Sequence, residues 1–414
     1  MAQRFYYSGH TYELSLTGRT WVEANAYALT LGGHLAVVTS AGEDSAISTN
    51  AAATVPLGSA PSAPDGGGAV YLWLGATDLL TEGAWLWLSG SPVSGYTHWG
   101  SGELGAEPDD FLGMQDAMGL GLEAWPAPSG GIGVAGEWND INVLNSLYAV
   151  CEWDFLLGTS GNDALVGTSA SNLLEGMGGN DTLNGGGGAD IMLGGSGNDT
   201  YLVNHASDKV FETTTQTSTT NAGGVELVKS SVTWTLGLYV EKLTLTGNAA
   251  INGTGNTLAN TITGNAASNL LKGGAGNDTL SGAGGADTLQ GGTGLDVLVG
   301  GSGADIFLFD TTLNATTNVD TIQDFKPIDD TIHLDHDIFT AFAVDNTALP
   351  QAAFRKGAGL TTAQDATDRI IYDTTTGALH YDADGVGGNA SVRFALLGVA
   401  THPSITYQDF FITA

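Results

Sequence analysis

The chain has 414 residues, 42% of them hydrophobic, which leaves room for packed cores in roughly two to four domains. Its 11 Lys and Arg stand against 44 Asp and Glu, a formal net charge of −33, and so strong an anion excludes nucleic acid and anionic membrane surfaces as partners. One cysteine, Cys151, excludes an internal disulfide framework; no stretch approaches a transmembrane span, and the opening MAQRFYYSGHTYEL lacks the apolar core of a secretory leader.

Thr20-Trp21-Val22-Glu23 and Ser40-Ala41-Gly42-Glu43 each carry the hydroxyl and glutamate spacing of a capping box, so a helix is expected to begin at each. The first runs through Ala24 and Ala28 to Leu31, stops at Gly32-Gly33 and passes into a strand at Leu35 to Val38. The second fades into the Ala, Pro, Ser and Gly stretch of residues 51–68, which reads as a long exposed loop. Strands are expected at Val70 to Leu74 and Ala84 to Leu88, then a turn-rich region from Ser89 to Gly136 and a closing strand at Tyr148 to Trp153. Cys151 reads as a small buried hydrophobe. Trp73, Trp85, Trp87 and Trp99 read as core, and Trp125 as an exposed aromatic beside a site.

The order of residues over 1–155 resembles the C-type lectin-like domain. The resemblance rests on Trp21-Val22-Glu23-Ala24, Leu31-Gly32-Gly33-His34-Leu35, Trp73-Leu74-Gly75, Trp85 with Trp87, His98-Trp99, Glu107-Pro108-Asp109, Trp138-Asn139-Asp140 and Ala149-Val150-Cys151-Glu152. It implies an α+β lectin-like fold, with His34 in a structural turn. Three of the family's four usual cysteine positions hold Ala28, Ala117 and Val143 instead. In sugar-binding members one Ca²⁺ sits between a Glu-Pro-Asn or Gln-Pro-Asp segment, a later acid and the Asn-Asp of the Trp-Asn-Asp strand. Carried over by position, the ligands here are Glu107, Asp109, Gln115, Asn139 and Asp140, with a cis peptide before Pro108 turning the flanking side chains toward the ion. Relative to the mannose-type pattern an amide and an acid are exchanged at Asp109 and Gln115, unless Asp116 takes the acid's place, so no sugar preference transfers. Three carboxylates and two amides remain, a donor set suited to Ca²⁺.

From Gly158 to Leu202 the chain is five consecutive nonapeptides, GTSGNDALV, GTSASNLLE, GMGGNDTLN, GGGGADIML and GGSGNDTYL. From Gly255 to Leu308 it is six more, GNTLANTIT, GNAASNLLK, GGAGNDTLS, GAGGADTLQ, GGTGLDVLV and GGSGADIFL. Glycines permit a tight turn over the first six residues, and the last three form a short strand whose middle, eighth residue points inward. Two units then make one turn of a coil, so loops eighteen residues apart stack. The stacked loops gather carboxylate and carbonyl oxygen without soft donors, a cage for Ca²⁺. The nonapeptide resembles the calcium-binding repeat of RTX proteins, which implies a parallel β-roll. The expected ligands are Asp163, Asp181, Asp190, Asp199, Asp278, Asp287, Asp296 and Asp305, while Asn172, Asn260 and Asn269 lack the carboxylate and should bind weakly or only stack.

Residues 203–254 alternate in the strand period at Val225 to Val228, Ser231 to Leu236 and Val240 to Leu245, and should continue the sheet. Past 310, the segments Asp320 to Phe325, Asp330 to Leu334, Arg369 to Asp373, Ala378 to Gly385 and Asp409 to Ala414 resemble the β-rich C-terminal region of RTX proteins exported by type I secretion. There an uncleaved C-terminal signal replaces the leader. The expected domains are therefore 1–155, 156–310 and 311–414. His333 and His336 lie outside any His-Glu-x-x-His signature, and no Gly-x-Ser-x-Gly elbow is present.

The sequence thus points to a secreted, extracellular, non-enzymatic Ca²⁺-binding protein. Its partners are a glycan or cell-surface ligand and the type I secretion machinery. The competing readings are a metal-independent protein- or ice-binding module on the same stalk, and, further off, a hydrolase.

Overall fold

Two units divide the chain, Met1–Leu157 and Gly158–Ala414. The computed structural model describes residues 3–31, 33–102, 105–108, 115–125, 133–153, 155–213, 215, 218–342, 346–398 and 401–414. The first unit opens with an element the sequence reading passed over. β1 (Gln3–Tyr7) turns into β2 (His10–Arg19) with Tyr7 opposite His10. Ser8 and Gly9 between them have φ of 50° and 91°, the positive pair that a two-residue hairpin of matching twist requires.

α1 (Trp21–Thr30) begins at the expected capping box, with both Thr20 and Glu23 side chains bonded. α2 (Ala41–Thr54) has half of one. Ser40 accepts the Glu43 N–H, but the Glu43 carboxylate turns away to the Thr39 N–H at 2.7 Å and the Tyr12 hydroxyl at 2.5 Å. The segment after α2 is not simply exposed, since Ala63 is fully buried and Asp65 accepts hydrogen bonds from the Asn142 N–H and the Asn145 amide.

The remaining strands are β3 (His34–Leu35), β4 (Tyr71–Thr77), β5 (Leu86–Trp87), β6 (Ser101–Gly102), β7 (Gly105–Ala106), β8 (Ala117–Gly121), β9 (Trp138–Ile141) and β10 (Leu147–Trp153). The main sheet runs β1-β2-β10-β4-β8-β9, with β3 on β10 and β5 on β4. Side chains alternate between two cores: Leu72 and Leu74 join Leu14, Ile47, Met118 and Val150, while Tyr71 and Trp73 join Trp21, Leu35, Ile141 and Ala149.

The second unit is the coil the nonapeptides predict. Ala164–Val166, Thr182–Asn184 and Thr200–Val203 stack in parallel, pairing Leu165 with Leu183 and Leu183 with Tyr201. Leu173–Glu175, Ile191–Leu193 and Lys209–Phe211 form a second parallel stack. The second run repeats the arrangement, with Ile262, Leu280 and Leu298 in one sheet and Leu271, Leu289 and Phe307 in the other. All eleven eighth-position side chains, Leu165 through Phe307, are at most 1% exposed.

The insert keeps one of the two stacks unbroken: Leu227–Ser230 pairs with Thr200–Val203, Lys242–Leu245 follows, and Thr261–Thr263 follows that. The other stack ends at Lys209–Phe211, and a separate sheet begins at Trp234–Thr235. The C-terminal strands extend the same two sheets. Asp320–Ile322 lies on Val297–Val299, Thr331–Asp335 on Ile306–Phe309, and Phe410–Thr413 on Thr331–Asp335.

Candidate metal centres

Each repeat loop ends on its sixth residue, and the stacking gives that residue's first oxygen a fixed task. Oδ1 of Asp181 accepts the Asp163 N–H at 2.8 Å, and Oδ1 of Asp199 accepts the Asp181 N–H at 2.7 Å. Asp190, Asp278, Asp287, Asp296 and Asp305 do the same for the sixth residue eighteen positions earlier. The second oxygen divides the loops into two kinds. In Asp181, Asp190, Asp199, Asp278, Asp287, Asp296 and Asp305, Oδ2 is buried without a hydrogen bond. The first residue of each of these seven loops is a glycine on which a Cβ would stand 2.1–2.5 Å from that oxygen. The second and fourth residues all have positive φ, from 72° at Ala283 to 151° at Gly294.

In the other four loops the second residue's N–H closes on the sixth side chain. Thr168 donates to Asn172 at 2.6 Å, Asn256 to Asn260 at 2.7 Å and Asn265 to Asn269 at 2.9 Å. Asp163 belongs with these, because its Oδ2 accepts from the Thr159 N–H at 2.6 Å and hydroxyl at 2.9 Å. It carries the charge of a ligand with the hydrogen bonding of a cap.

In the first unit, the cis Glu107–Pro108 peptide is present. Gln115, Asn139 and Asp140 are buried at 3%, 2% and 0% exposure, and Glu107 is half-buried. Asn139, Glu107 and Asp140 lie around the Tyr71 hydroxyl. Asn139 Nδ2 donates to it at 2.9 Å, and it donates to the Gly66 carbonyl at 2.9 Å. Burial raises the phenol's pKa, and the charges of Glu107, Asp65 and Asp140 raise it further. Gln115 Nε2 donates to the Asp65 carbonyl, and Asn139 Oδ1 is buried without a hydrogen bond. Asp109 lies outside the described residues. Trp125 corrects the expectation of an exposed aromatic: it is 1% exposed and packs on Tyr71 with ring centroids 5.5 Å apart.

Comparison with known proteins bears on both units. Residues 17–153 match the lectin C-type domain family, and residues 166–201, 254–289 and 281–311 match the RTX calcium-binding nonapeptide repeat. Salivary C-type lectin 2 of Aedes albopictus is 31% identical over 135 residues, 32% of this chain and 76% of that protein. The chain belongs to the C-type lectins.

Perlucin of Haliotis laevigata is 29% identical over 141 residues, 34% of this chain and 74% of perlucin. Human C-type lectin domain family 10 member A is 31% identical over 147 residues, and the chain spans only 36% of its length. Among solved structures, the mouse scavenger receptor C-type lectin carbohydrate-recognition domain is 24% identical, covering 37% of this chain and 94% of that one, with a TM-score of 0.28. The lectin domain is thus followed by RTX repeats. Such repeats bind Ca²⁺ and are typical of secreted proteins, and neither kind of domain is typically catalytic. No helix among the described residues is long and apolar enough to cross a membrane.

The RTX carboxylates fit a hard cation. Burial is the first cause that raises the pKa of Asp181 and Asp287 to about 6 and of Asp278 to about 7, and neighbouring aspartates add to it. None of the seven forms an ion pair among the described residues. No three His, Cys, Asp or Glu side chains among those residues converge to hold a metal by themselves. A cation in these loops would be held by single carboxylates together with backbone carbonyls, a donor mix that suits Ca²⁺.

The sequence reading missed three further rungs. Asp208, Asp320 and Asp330 accept the N–H groups of Asp190, Asp296 and Asp305 at 3.0, 3.2 and 3.1 Å. They precede Lys209-Val210-Phe211, Thr321-Ile322-Gln323 and Thr331-Ile332-His333, triplets with an apolar middle residue but no glycine loop before them. Only Asp208 keeps the eighteen-residue spacing that could have marked it; Asp320 and Asp330 stand 24 and 25 residues after their partners. In the lectin domain, Asp65 was missed because it sits in the stretch read as loop.

Proposed function

We propose that this is a secreted Ca²⁺-binding lectin. In this reading residues 1–155 bind a glycan or other cell-surface ligand through a Ca²⁺ held by Glu107, Asp109, Gln115, Asn139 and Asp140. Residues 156–310 are a stalk ordered by Ca²⁺ in the loops of Asp181, Asp190, Asp199, Asp278, Asp287, Asp296 and Asp305, with Asp163 as a closing cap. Residues 311–414 carry the signal read by a type I secretion machine, and the loops fill with metal on arrival outside the cell. The observation that carries the calcium reading is the set of seven buried, unbonded Oδ2 atoms, each facing a glycine with no room for a side chain.

A second reading of the lectin loop has support of its own. One hydrogen of the Gln115 amide is already given to the Asp65 carbonyl and one of the Asn139 amide to the Tyr71 hydroxyl, which leaves a single donor hydrogen on each. A sugar hydroxyl needs such donors, so this use of them favours a loop kept for metal-independent protein or ice contact. A glycan array probed with the full chain, with and without chelator, and with Asp140→Asn, decides between them. Glycan binding that vanishes in chelator and in the variant supports the first; binding that ignores both removes the metal from the lectin site.

A further inference from the structure

Between the two repeat runs the coil buries carboxylates that the nonapeptide pattern does not account for. Glu226 precedes Leu227–Ser230 as Asp199 precedes Thr200–Val203, and Glu241 precedes Lys242–Leu245 in the same way. Both therefore stand in the column of sixth residues that runs from Asp163 through Asp199 to Asn260. Glu241 behaves as a repeat aspartate would, its Oε2 accepting the Glu226 N–H at 3.0 Å. Glu226 does not: it is fully buried, and neither of its oxygens has a hydrogen bond.

The extra methylene carries the Glu226 carboxylate toward the preceding loop. A Cβ placed on Gly224 would stand 2.2 Å from Glu226 Oε1 and 1.7 Å from the Gly197 carbonyl oxygen, so these two acceptors flank one small space. Glu212 is fully buried beside it, with Oε1 held by the Tyr201 hydroxyl and Oε2 without a hydrogen bond. A Cβ on Gly194 would meet the Tyr201 hydroxyl at 2.2 Å and Asp199 Oδ2 at 2.3 Å, which brings the repeat carboxylate to the same place. Burial first pushes Glu226 up to about 9, with the neighbouring Glu241 and Glu212 adding to it, and burial first pushes Glu212 up to about 8, with the charges of Asp199 and Glu241 adding to it. None of the four acids forms an ion pair among the described residues. The insert is tied to the repeat loop here by Gly197 N–H to the Gly223 carbonyl at 2.9 Å and Val225 N–H to Asn198 Oδ1 at 2.8 Å.

We propose that Glu226 and Glu212, with Asp199, Glu241 and the Gly197 carbonyl, hold a Ca²⁺ that clamps the insert onto the end of the first repeat run. Every donor is a hard oxygen. Long glutamate arms allow the large, irregular coordination of Ca²⁺ better than the strict octahedron of Mg²⁺. The acids do not meet at one point, as like charges would not, but the two glutamate side chains have the reach to close on an ion. The proposal rests on the coil being a calcium-binding element, as above, and adds a site that the insert completes on the last nonapeptide of the first run.

The test counts bound Ca²⁺ in the full chain by equilibrium dialysis at neutral pH, for wild type, Glu226→Gln, Glu212→Gln and the repeat control Asp278→Asn. Each glutamine variant should bind one ion fewer than wild type while showing the wild-type circular dichroism at saturating Ca²⁺. Folded glutamine variants that bind the wild-type number overturn the proposal and leave these groups as neutral acids, whereas the Asp278→Asn result bears only on the repeats. If Glu226→Gln does not fold, the count for Glu212→Gln alone decides. A wild type that binds no Ca²⁺ at all removes the repeat reading along with this one.

Discussion

The sixth residue of a repeat splits its work between two oxygens, and the split predicts which substitutions matter. In Asp287, Oδ1 holds the Asn269 N–H while Oδ2 is buried and unbonded. Asp287→Asn keeps the first role and removes the charge, so Ca²⁺-dependent stabilisation in a thermal melt should shrink. Asp163→Asn changes a carboxylate already capped by Thr159, and its Ca²⁺ titration should match wild type. Equal effects in the two variants would contradict the two kinds of loop. The same oxygens set the pH dependence of chelated protein. Asp181, Asp278 and Asp287 are raised from 3.8 to about 6, 7 and 6, chiefly by burial. Their folded forms therefore hold protons that the unfolded chain has released. The stability they contribute is complete below about pH 4 and is lost as pH rises through about 6 to 7. Melting temperatures in chelator should fall between about pH 4.5 and pH 8, and saturating Ca²⁺ should remove that fall.

At the scale of single elements, three-residue strands have little strength of their own, and the buried eighth residue holds them in place. Leu280→Ala, at a fully buried position, should cost about 2–5 kcal/mol in chemical denaturation at saturating Ca²⁺, where a change at the exposed Thr279 would cost little. The lectin domain shows the complementary device. Ala28 and Cys151 share one apolar cluster and Ala117 and Val143 another, so packing occupies the positions where the family resemblance implies cysteines. Burial pushes the Cys151 thiol up to about 12, with Glu13 adding to it. Glu152 accepts the Val37 N–H at 2.7 Å and pairs with His10 at 2.8 Å, and Tyr12 links it to Glu43, which ties α2 to the sheet. Sequence periodicity gave the coil's strands and the capping residues at Thr20 and Ser40 gave both helix starts, because those signals are local. The buried turn around Ala63 and Asp65 escaped it, since its partners Asn142 and Asn145 lie far along the chain, whereas the Ser8-Gly9 hairpin is local and its Ser-Gly turn signal was passed over.

For the molecule as a whole, a net charge of −33 opposes any compact state that lacks cations. Removing divalent ions from the full chain should reduce the β-signal in circular dichroism, re-adding Ca²⁺ should restore it, and monovalent salt at the same ionic strength should restore only part, since screening is not coordination. Full recovery with monovalent salt would reduce calcium to a counter-ion. The sequence by itself determined the lectin-like order of motifs, the two runs, the inward apolar column and the acids on the loops, because a nine-residue period repeats its chemistry wherever it occurs. Only the tertiary structure decided which of those acids keep an oxygen buried and unbonded. It also set Asp208, Asp320, Asp330, Glu226 and Glu241 into the same columns. That outcome depends on which residue stacks eighteen or more positions away and on whether a second-position N–H reaches the side chain first, and neither is written in the local pattern.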